Sequence, residues 1–235
     1  MKRFLILILI SFLAAGCGVE VVTDDSEPEP VRETSGPVYY AEFDMKDYKV
    51  VPYLAPEDTE SFYDVVEKLD PEAAITGTYY DENYRPCGDI VYNGERVAKG
   101  HRTCGVAVDY EGNITFPHTS RKEDRPRQAF AVFCGPKLIT EGKKDIDARR
   151  DGFSGRAESV EACRCAIGAK GSRVLVLCAV RKGVTLSELA DILLERGVTD
   201  AVNMDGGSMC AYYCDGEFYD APVGGVNNIA AVVKR

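Results

Sequence analysis

Residues 183–208 read GVTLSELADILLERGVTDAVNMDGGS and contain the clearest fold signal in the chain. Their first part predicts a helix over Leu186 to Arg196, with Thr185 as the N-cap and Gly197 as the C-terminal stop. The second part, residues 198–204, is a short apolar run that predicts a buried strand. A helix followed by a strand that ends in Asp-Gly-Gly indicates a domain built from both kinds of element.

Strand patterns dominate the rest of the chain after residue 37. Residues 38–43 and 48–54 are predicted to pair across a polar turn, and 60–69 is predicted to be a helix with Thr59 as its N-cap. Asn93-Gly94 is a strong hairpin-turn signal. Further strands are predicted at 73–80, 90–92, 96–98, 105–109, 114–116, 128–133, 165–168, 174–180 and 227–233. These elements predict an α+β fold, with a curved, mostly antiparallel sheet and two or three helices packed on one side of it.

The N-terminus has the layout of an export signal. Two basic residues precede the apolar run FLILILISFLAA (4–15), whose 12 residues are too few for a bilayer that requires roughly 20. Cys17 directly follows Ala-Ala-Gly, which resembles a bacterial lipoprotein signal. We therefore expect a signal peptide at 1–16 and a lipidated Cys17; the alternative is ordinary cleavage that leaves Cys17 unmodified.

The segment that follows Cys17 has the composition of a tether. It is acidic, rich in Pro and Ser, and too poor in large apolar residues to offset the entropy of ordering. The predicted domain division is therefore a lipidated cysteine and tether at 17–37 and a folded domain at 38–235. The expected location is the cell envelope, with the domain exported and held at the membrane through its N-terminal lipid.

Composition narrows the partners that we expect. The formal net charge is −10, and nucleic acid is not expected as a partner because a phosphate-binding surface needs a basic face. Eight cysteines follow Cys17, and an even number in an exported chain favours disulfides, with free core thiols and a metal cluster as alternatives. Their spacing lacks the paired C-x2-C pattern of a zinc site. We therefore expect neither a metal nor a cofactor.

Three segments have chemical rather than structural character. The first follows the predicted strand 198–204 and contains Asn203, Asp205, Gly206, Gly207 and Ser208. The two glycines allow positive φ and a close approach of the backbone to a ligand, so the amide and the carboxylate would face a site at a strand end. The alternative is a tight polar turn with a structural role only.

The other two segments suit a phosphate group. Gly77 and Thr78 end a β-branched strand and could present backbone N–H groups, with Asp89 a short distance further on. Gly152 lies in a long polar loop, and Arg164 on a strand could bind phosphate through two parallel hydrogen bonds. The structural alternatives are a bulge in the strand and a surface arginine.

Taken together, these motifs resemble the phosphodiester glycosidase domain family. The resemblance extends from about Val38 to the end of the chain. Its landmarks, in order, are AITGTYYD (74–81), GDIVYNG (88–94), FAVFCGPKLITEGK (130–143), DGF (151–153), RCAIGA (164–169), residues 183–208 and NNIAAVV (227–233). An ordered series over most of the domain is much more specific than any one motif.

The resemblance implies a hydrolase that cleaves the bond between an anomeric sugar carbon and a phosphodiester oxygen, in glycans or wall polymers. The expected partner is therefore a carbohydrate phosphodiester. The implied phosphate-binding groups are Arg164, Gly152 and the backbone around Gly77 and Thr78. Asn203 would orient the substrate, Asp205 would stabilise the oxocarbenium ion or activate water, and Gly206, Gly207 and Ser208 would shape the pocket, with Asp89 as a second carboxylate.

One departure from the family pattern concerns phosphate binding. Family members commonly carry an arginine shortly after a proline near the C-terminus, whereas Pro222 is followed here by Val-Gly-Gly. Arg121, Arg125 and Arg127 are candidate substitutes. The alternatives to a hydrolase are a non-catalytic surface lipoprotein that binds a glycan or a phosphorylated ligand, and a disulfide-stapled interaction module.

Overall fold

The structure is a computed structural model that describes residues 31–33, 36–119 and 121–235. The predicted signal peptide, Cys17 and the first part of the predicted tether lie outside the described residues. The strands are β1 (Arg32–Glu33), β2 (Val38–Asp44), β3 (Tyr48–Leu54), β4 (Ala73–Thr76), β5 (Ile90–Tyr92), β6 (Glu95–Ala98), β7 (Cys104–Asp109), β8 (Ile114–Thr115), β9 (Gln128–Cys134), β10 (Lys137–Thr140), β11 (Lys143–Lys144), β12 (Ala162–Lys170), β13 (Val174–Val184), β14 (Asp200–Met204), β15 (Tyr212–Cys214), β16 (Glu217–Asp220) and β17 (Asn228–Lys234). The α-helices are α1 (Phe62–Leu69) and α2 (Leu186–Glu195), and short 3₁₀ turns lie at Arg125–Arg127, Gly155–Glu158 and Gly207–Met209.

The strands form three sheets in which neighbouring strands run antiparallel. The first sheet has seven strands in the order β1-β2-β13-β12-β14-β10-β11. The second has the order β16-β15-β4-β17-β3, and the third has the order β6-β5-β9-β7-β8. The predicted single sheet is therefore replaced by three, although the fold remains a sheet-rich α+β arrangement of mostly antiparallel strands.

Buried residues from all three sheets pack into one core cluster. The alternation along β13 shows how a strand contributes to it: Leu175, Leu177 and Ala179 join this cluster, whereas Val176 and Cys178 face the other way and join a second cluster. Because side chains of a strand alternate between its two faces, the apolar run of β13 is explained by burial on both sides.

Each helix covers the outer face of a different sheet. Helix α2 packs on the first sheet, and Thr185 caps it through a reciprocal pair of hydrogen bonds with Glu188, as the sequence predicts for this N-cap. Helix α1 packs on the second sheet and begins at Phe62, with Ser61 as its N-cap. The predicted start at residue 60, the predicted cap Thr59 and the predicted placement of the helices on one side of a single sheet are therefore wrong.

The predicted pairing of residues 38–43 with 48–54 is also wrong, although both strands exist. Strand β2 has β1 on one edge and β13 on the other, so it has no free edge for β3. Strand β3 pairs with β17 in the second sheet. The polar turn between them is a crossing from one sheet to another, and Met45 N–H donates to the carbonyl of Arg173 at its start.

Ordered structure begins before residue 38, where the sequence predicts the folded domain to start. Arg32 lies in β1, its guanidinium forms an ion pair with Asp215, and it donates to the sulfur of Cys214 at 3.6 Å. These contacts fix at least part of the predicted tether on the sheet edge. Neither helix of the described residues is long and apolar enough to cross a lipid bilayer.

No two of the described cysteines are joined by a disulfide, so the predicted disulfides are not present among the described residues. Cys165 and Cys210 come close to each other, with 3.1 Å between their Sγ atoms, but a disulfide requires about 2.05 Å. Most of the others are buried among apolar side chains, as core thiols often are. The alternative of core cysteines that form no disulfide therefore describes the structure better.

Candidate active site

Two strand ends from different sheets meet at the candidate active site. Strand β14 ends at Met204 and continues into Asp205, and β4 ends at Thr76 and continues into Gly77. The backbone N–H of Asp205 donates to the carbonyl of Gly77 at 3.0 Å. This bond brings together two of the three segments in which the sequence indicates chemistry.

A narrow cleft with little free space lies at this junction. It is lined by Thr76, Thr78, Tyr80, Asp205, Met209, Gly225, Val226, Asn227 and Asn228. The Thr76 hydroxyl serves the fold, because it donates to the carbonyl of Met209 and accepts from the N–H of Ala211, both at 2.8 Å. The Thr78 hydroxyl is buried with no nitrogen or oxygen partner and has only the Cys134 thiol beside it, so it can turn to a bound ligand.

Asp205 provides the carboxylate of the cleft. It is only 7% exposed, and its Oδ1 accepts the N–H of Gly206 at 2.8 Å. Burial raises the pKa of Asp205 to about 7, and the Gly206 bond opposes the rise. A carboxyl group that changes charge near neutral pH suits proton exchange with a substrate or with water.

Packing requires the first glycine after Asp205, and backbone conformation favours the second. A Cβ on Gly206 would stand 2.6 Å from the carbonyl oxygen of Cys163 on β12, and Gly207 has a φ of +59°. The glycines of this turn therefore have a structural role, whereas the chemical role of Asp205 stays a prediction. Ser208 follows in an exposed position.

Asn203 is buried on β14 and holds Tyr79 rather than lining the cleft. Its Nδ2 donates to the Tyr79 hydroxyl at 2.7 Å, to the carbonyl of Met204 at 2.8 Å and to the carbonyl of Gly135 at 3.3 Å. Its Oδ1 is buried without a partner. Asn203 thus positions Tyr79, a residue that the sequence analysis quoted only as part of a motif.

The Tyr79 hydroxyl lies within the electrostatic influence of an acid and two arginines. Burial raises the pKa of Tyr79 well above its usual range, Cys134 and Asp205 raise it further, and Arg164 and Arg102 act in the opposite direction. Since such effects require proximity, these charges surround one buried hydroxyl. The structure thereby brings Arg164 and Asp205 to the same region of the molecule.

Arg164 itself is engaged with the backbone. Its Nε donates to the carbonyl of Val184 at 3.1 Å, and a terminal nitrogen donates to the carbonyl of Val160. Arg164 does not line the cleft that contains Asp205. It therefore braces the end of β12, and only part of its guanidinium can serve a ligand.

Arg102 is an arginine of this region that sequence reasoning missed. Its guanidinium lies 3.8 Å from the ring centre of Phe153 and 5.6 Å from that of Tyr79, and it donates to the carbonyl of Gly152 at 3.0 Å. Its Nε is buried without a partner. Gly152, a predicted phosphate-binding residue, thus contacts Arg102 through its carbonyl. Arg102 lies in a loop outside every motif, so no sequence signal pointed to it.

Asp89 is held as a structural carboxylate. It accepts the N–H of Gly100 at 2.8 Å and lies 3.3 Å from Arg96 and 3.4 Å from Arg125. It lines a second depression, which is separate from the cleft of Asp205. The structure therefore does not bring the two candidate carboxylates together, and Arg125, a candidate phosphate-binding substitute, is occupied.

Asn228 lines the cleft and is, after Arg102, the second residue that could not be identified from the sequence. Its Oδ1 accepts the N–H of Thr78 at 2.7 Å, and its Nδ2 donates to the carbonyl of Thr78 at 2.9 Å. The carbonyl of Asn228 also accepts the N–H of Gly77 at 3.0 Å. Because the backbone N–H groups of Gly77 and Thr78 are both used within the fold, they are not free for phosphate.

The fold and the cleft agree with a family assignment from sequence comparison. The family model of the phosphodiester glycosidases matches residues 70–233, and the chain belongs to this family. Among curated protein sequences, none matches this chain. The resemblance stated from the motifs is therefore confirmed over the greater part of the predicted domain.

Several solved structures share the fold at low sequence identity. A hypothetical protein from Synechocystis superposes with a TM-score of 0.71 at 16% identity; the match covers 87% of this chain but only 61% of that one. The zebrafish N-acetylglucosamine-1-phosphodiester alpha-N-acetylglucosaminidase catalytic domain, auto-inhibited by its pro-peptide, gives 0.67 at 17% identity, over 88% of this chain and 81% of that one. A protein of Burkholderia pseudomallei gives 0.57 at 11% identity, over 83% and 73%.

Proposed function

We propose that this chain is a hydrolase that cleaves the bond between an anomeric sugar carbon and a phosphodiester oxygen. The observation that carries the proposal is Asp205, a buried carboxyl with a pKa of about 7 in a cleft at the junction of two strand ends. Membership of the phosphodiester glycosidase family supports the substrate class. The zebrafish neighbour, which carries a phosphodiester glycosidase name, supports it as well.

The proposed chemistry needs only one carboxylate. Phosphate is a good leaving group, so the C–O bond breaks with its electron pair on the phosphate oxygen and without a strong general acid. Water adds to the anomeric carbon, and ionised Asp205 takes the proton of that water and stabilises the positive charge on the sugar. The products are a free sugar and a phosphomonoester. Asp89 does not line the cleft, which is consistent with a mechanism that uses one carboxylate.

The neutral polar groups of the cleft orient the sugar. The Thr78 hydroxyl has only the Cys134 thiol beside it, and Asn228 fixes the Thr78 backbone through both its N–H and its carbonyl. Asn203 does not line the cleft, and its role there is indirect: its Nδ2 holds the Tyr79 hydroxyl at 2.7 Å. The fold thus orients these groups before a ligand binds, which favours the transition state, but the narrow cleft must widen to admit a sugar.

The proposal also places the protein in the cell envelope. The N-terminal sequence supports export and lipidation at Cys17, and the acidic tether would separate the domain from the membrane. The substrate would then be a glycan or a wall polymer with sugar-1-phosphodiester linkages. Labelling with a radioactive or alkyne-tagged fatty acid should tag the full chain and not a Cys17→Ser variant; equal labelling of both would contradict the anchor.

The activity is tested with a panel of nucleotide sugars and sugar-1-phosphodiesters. We expect the purified protein to release a reducing sugar and a phosphomonoester in equal amounts from at least one member of the panel. Release of a nucleoside or of inorganic phosphate as the first product would indicate cleavage of another bond. Binding without turnover by any member would favour the alternative of a non-catalytic surface protein.

The pH dependence follows from Asp205. Because its pKa is raised to about 7, the carboxyl is protonated at pH 5 and cannot act as a base there. We expect kcat/KM to rise by about tenfold per pH unit below about pH 6.5 and to become constant above about pH 7.5. A profile that falls as the pH rises through 7 would instead require Asp205 to act as an acid and would contradict the proposed role.

Arg102 lines the depression of Asp89 rather than the cleft, but its guanidinium faces the Tyr79 ring. It is proposed to bind the phosphate, with Arg164 holding the neighbouring strand end. The Arg102→Met variant should raise KM by about 10- to 100-fold, the equivalent of about 1.5–3 kcal/mol for a hydrogen bond to a charged group. Arg121→Met is the matched control, because Arg121 is exposed and was only a candidate from sequence. KM is measured by steady-state kinetics. If the Arg102→Met variant and the unmodified protein have equal KM values, Arg102 does not bind the phosphate.

A further inference from the structure

A cluster of three metal-binding side chains lies outside the cleft of Asp205. The sulfur of Cys104, a ring nitrogen of His118 and a carboxylate oxygen of Asp151 all lie within 4.8 Å of one another. These residues come from β7, from the loop after β8 and from the loop before the 3₁₀ turn at Gly155–Glu158. Because they are distant in sequence, their spacing does not match a zinc motif, and no metal was expected from the sequence.

The surroundings of the cluster orient its members. The Nε2 of His118 is 2.8 Å from Oδ1 of Asp151, whose Oδ2 accepts the N–H of Lys137 at 2.8 Å. Arg150 binds the same carboxylate through its Nε at 2.9 Å. Cys104 and Asp151 are buried completely, whereas the His118 side chain is 41% exposed. Buried donors of this kind with outer hydrogen-bond partners are typical of a site whose ligands are held in place.

We propose that Cys104, His118 and Asp151 bind a zinc ion, with water as the fourth ligand on the exposed side of His118. A thiolate, an imidazole and a carboxylate are a donor set that zinc accepts, at bonds of about 2.0–2.3 Å. Such bonds place ligand atoms roughly 3.3–3.8 Å apart, so the cluster closes with a small rotation of the exposed His118 ring. Arg150 and Lys137 then become the outer partners of Asp151.

The position of the ion indicates what it would do. Gly152 follows Asp151 and accepts a hydrogen bond from Arg102, and Phe153 packs against Tyr79. The Cβ of Cys104 lies close to Gly135, whose carbonyl accepts hydrogen bonds from Tyr79 and Asn203. A zinc ion here would therefore fix the loop that supports Tyr79 and Arg102, and its role would be structural.

The test is metal binding by the purified, metal-free protein, without any assay of activity. Zinc should bind with one ion per chain in calorimetry, and cobalt should give a sulfur-to-metal charge-transfer band that reports the Cys104 thiolate. The His118→Ala variant should weaken zinc binding by at least about tenfold, and Cys104→Ala should also abolish the cobalt band. Zinc should raise the melting temperature of the unmodified protein and not that of either variant.

Two control variants separate this site from other thiols and imidazoles. His101→Ala removes the other histidine, and Cys178→Ala removes a buried thiol of a different core cluster; both should bind zinc as the unmodified protein does. The His118 side chain is 41% exposed, so its variant should fold even if the Cys104 variant does not. Failure of zinc to bind at micromolar concentration, or unchanged zinc affinity in the His118→Ala variant, would overturn the proposal.

Discussion

The Asp205→Asn variant is expected to lose turnover and to be more stable than the unmodified protein above pH 7. The amide cannot take a proton from water, so kcat should fall by about a thousandfold. The fold should persist, because Oδ1 of asparagine can still accept the Gly206 N–H and the side chain keeps its size. A loss of activity with retained folding separates a catalytic role from a structural one.

The gain in stability follows from the raised pKa. An acid whose pKa is higher in the folded state than in the unfolded state loses stability as the pH rises through that interval, here from about 4 to about 7. A shift of about three pKa units corresponds to a loss of up to about 4 kcal/mol in the free energy of unfolding. This loss is complete above pH 7, where Asp205 is ionised, and absent below pH 4. Asparagine carries no charge to bury, so the variant should escape this penalty.

The free energy of unfolding, measured by chemical denaturation at pH 5 and at pH 8, tests the expected gain in stability. The stability advantage of Asp205→Asn should be large at pH 8 and small at pH 5. Asp191→Asn is the matched control, because Asp191 is exposed on α2 and pairs with Lys144 at the surface, where removal should cost less than about 1 kcal/mol. Turnover that survives in Asp205→Asn would remove this carboxylate from the mechanism.

Local signals in the sequence were sufficient for elements but not for their partners. The helix over Leu186 to Glu195 and the hairpin around Asn93-Gly94 follow from residues within a few positions of each other, and both are present. The partner of β2 depends on contacts with β1 and β13, and the latter lies more than a hundred residues away. Alternating apolar residues define the buried face of a strand but do not identify its neighbour.

The same limit applies to the candidate site. Asn203 and Asp205 could be predicted to lie at a strand end, because an apolar strand runs directly into them. The arginines that neutralise Asp89 are seven and 36 residues away, and nothing near Asp89 in sequence distinguishes it from a cleft carboxylate. Arg102 was missed for the opposite reason, since its role depends on rings of Tyr79 and Phe153 that approach it only in the folded chain.

The Gly88→Ala variant is expected to be strongly destabilised. A Cβ at this position would stand 1.5 Å from the carbonyl oxygen of Phe133, which is backbone and cannot rotate away. The N–H of Phe133 donates to the carbonyl of Asp89 at 2.9 Å, so the clash would separate this loop from β9. We expect a loss of about 3 kcal/mol or more in the free energy of unfolding, measured by urea denaturation.

Gly183→Ala is the matched control for this substitution. The nearest atom to a Cβ there is 3.6 Å away, an ordinary contact, so its stability should change by less than about 1 kcal/mol. The same Cβ on Gly88 would lie 2.7 Å from the Thr78 hydroxyl, so any folded Gly88→Ala protein should also bind substrate poorly. If Gly88→Ala were as stable as Gly183→Ala, the loop would not pack against β9, and the position of the Thr78 hydroxyl in the cleft would lose its support.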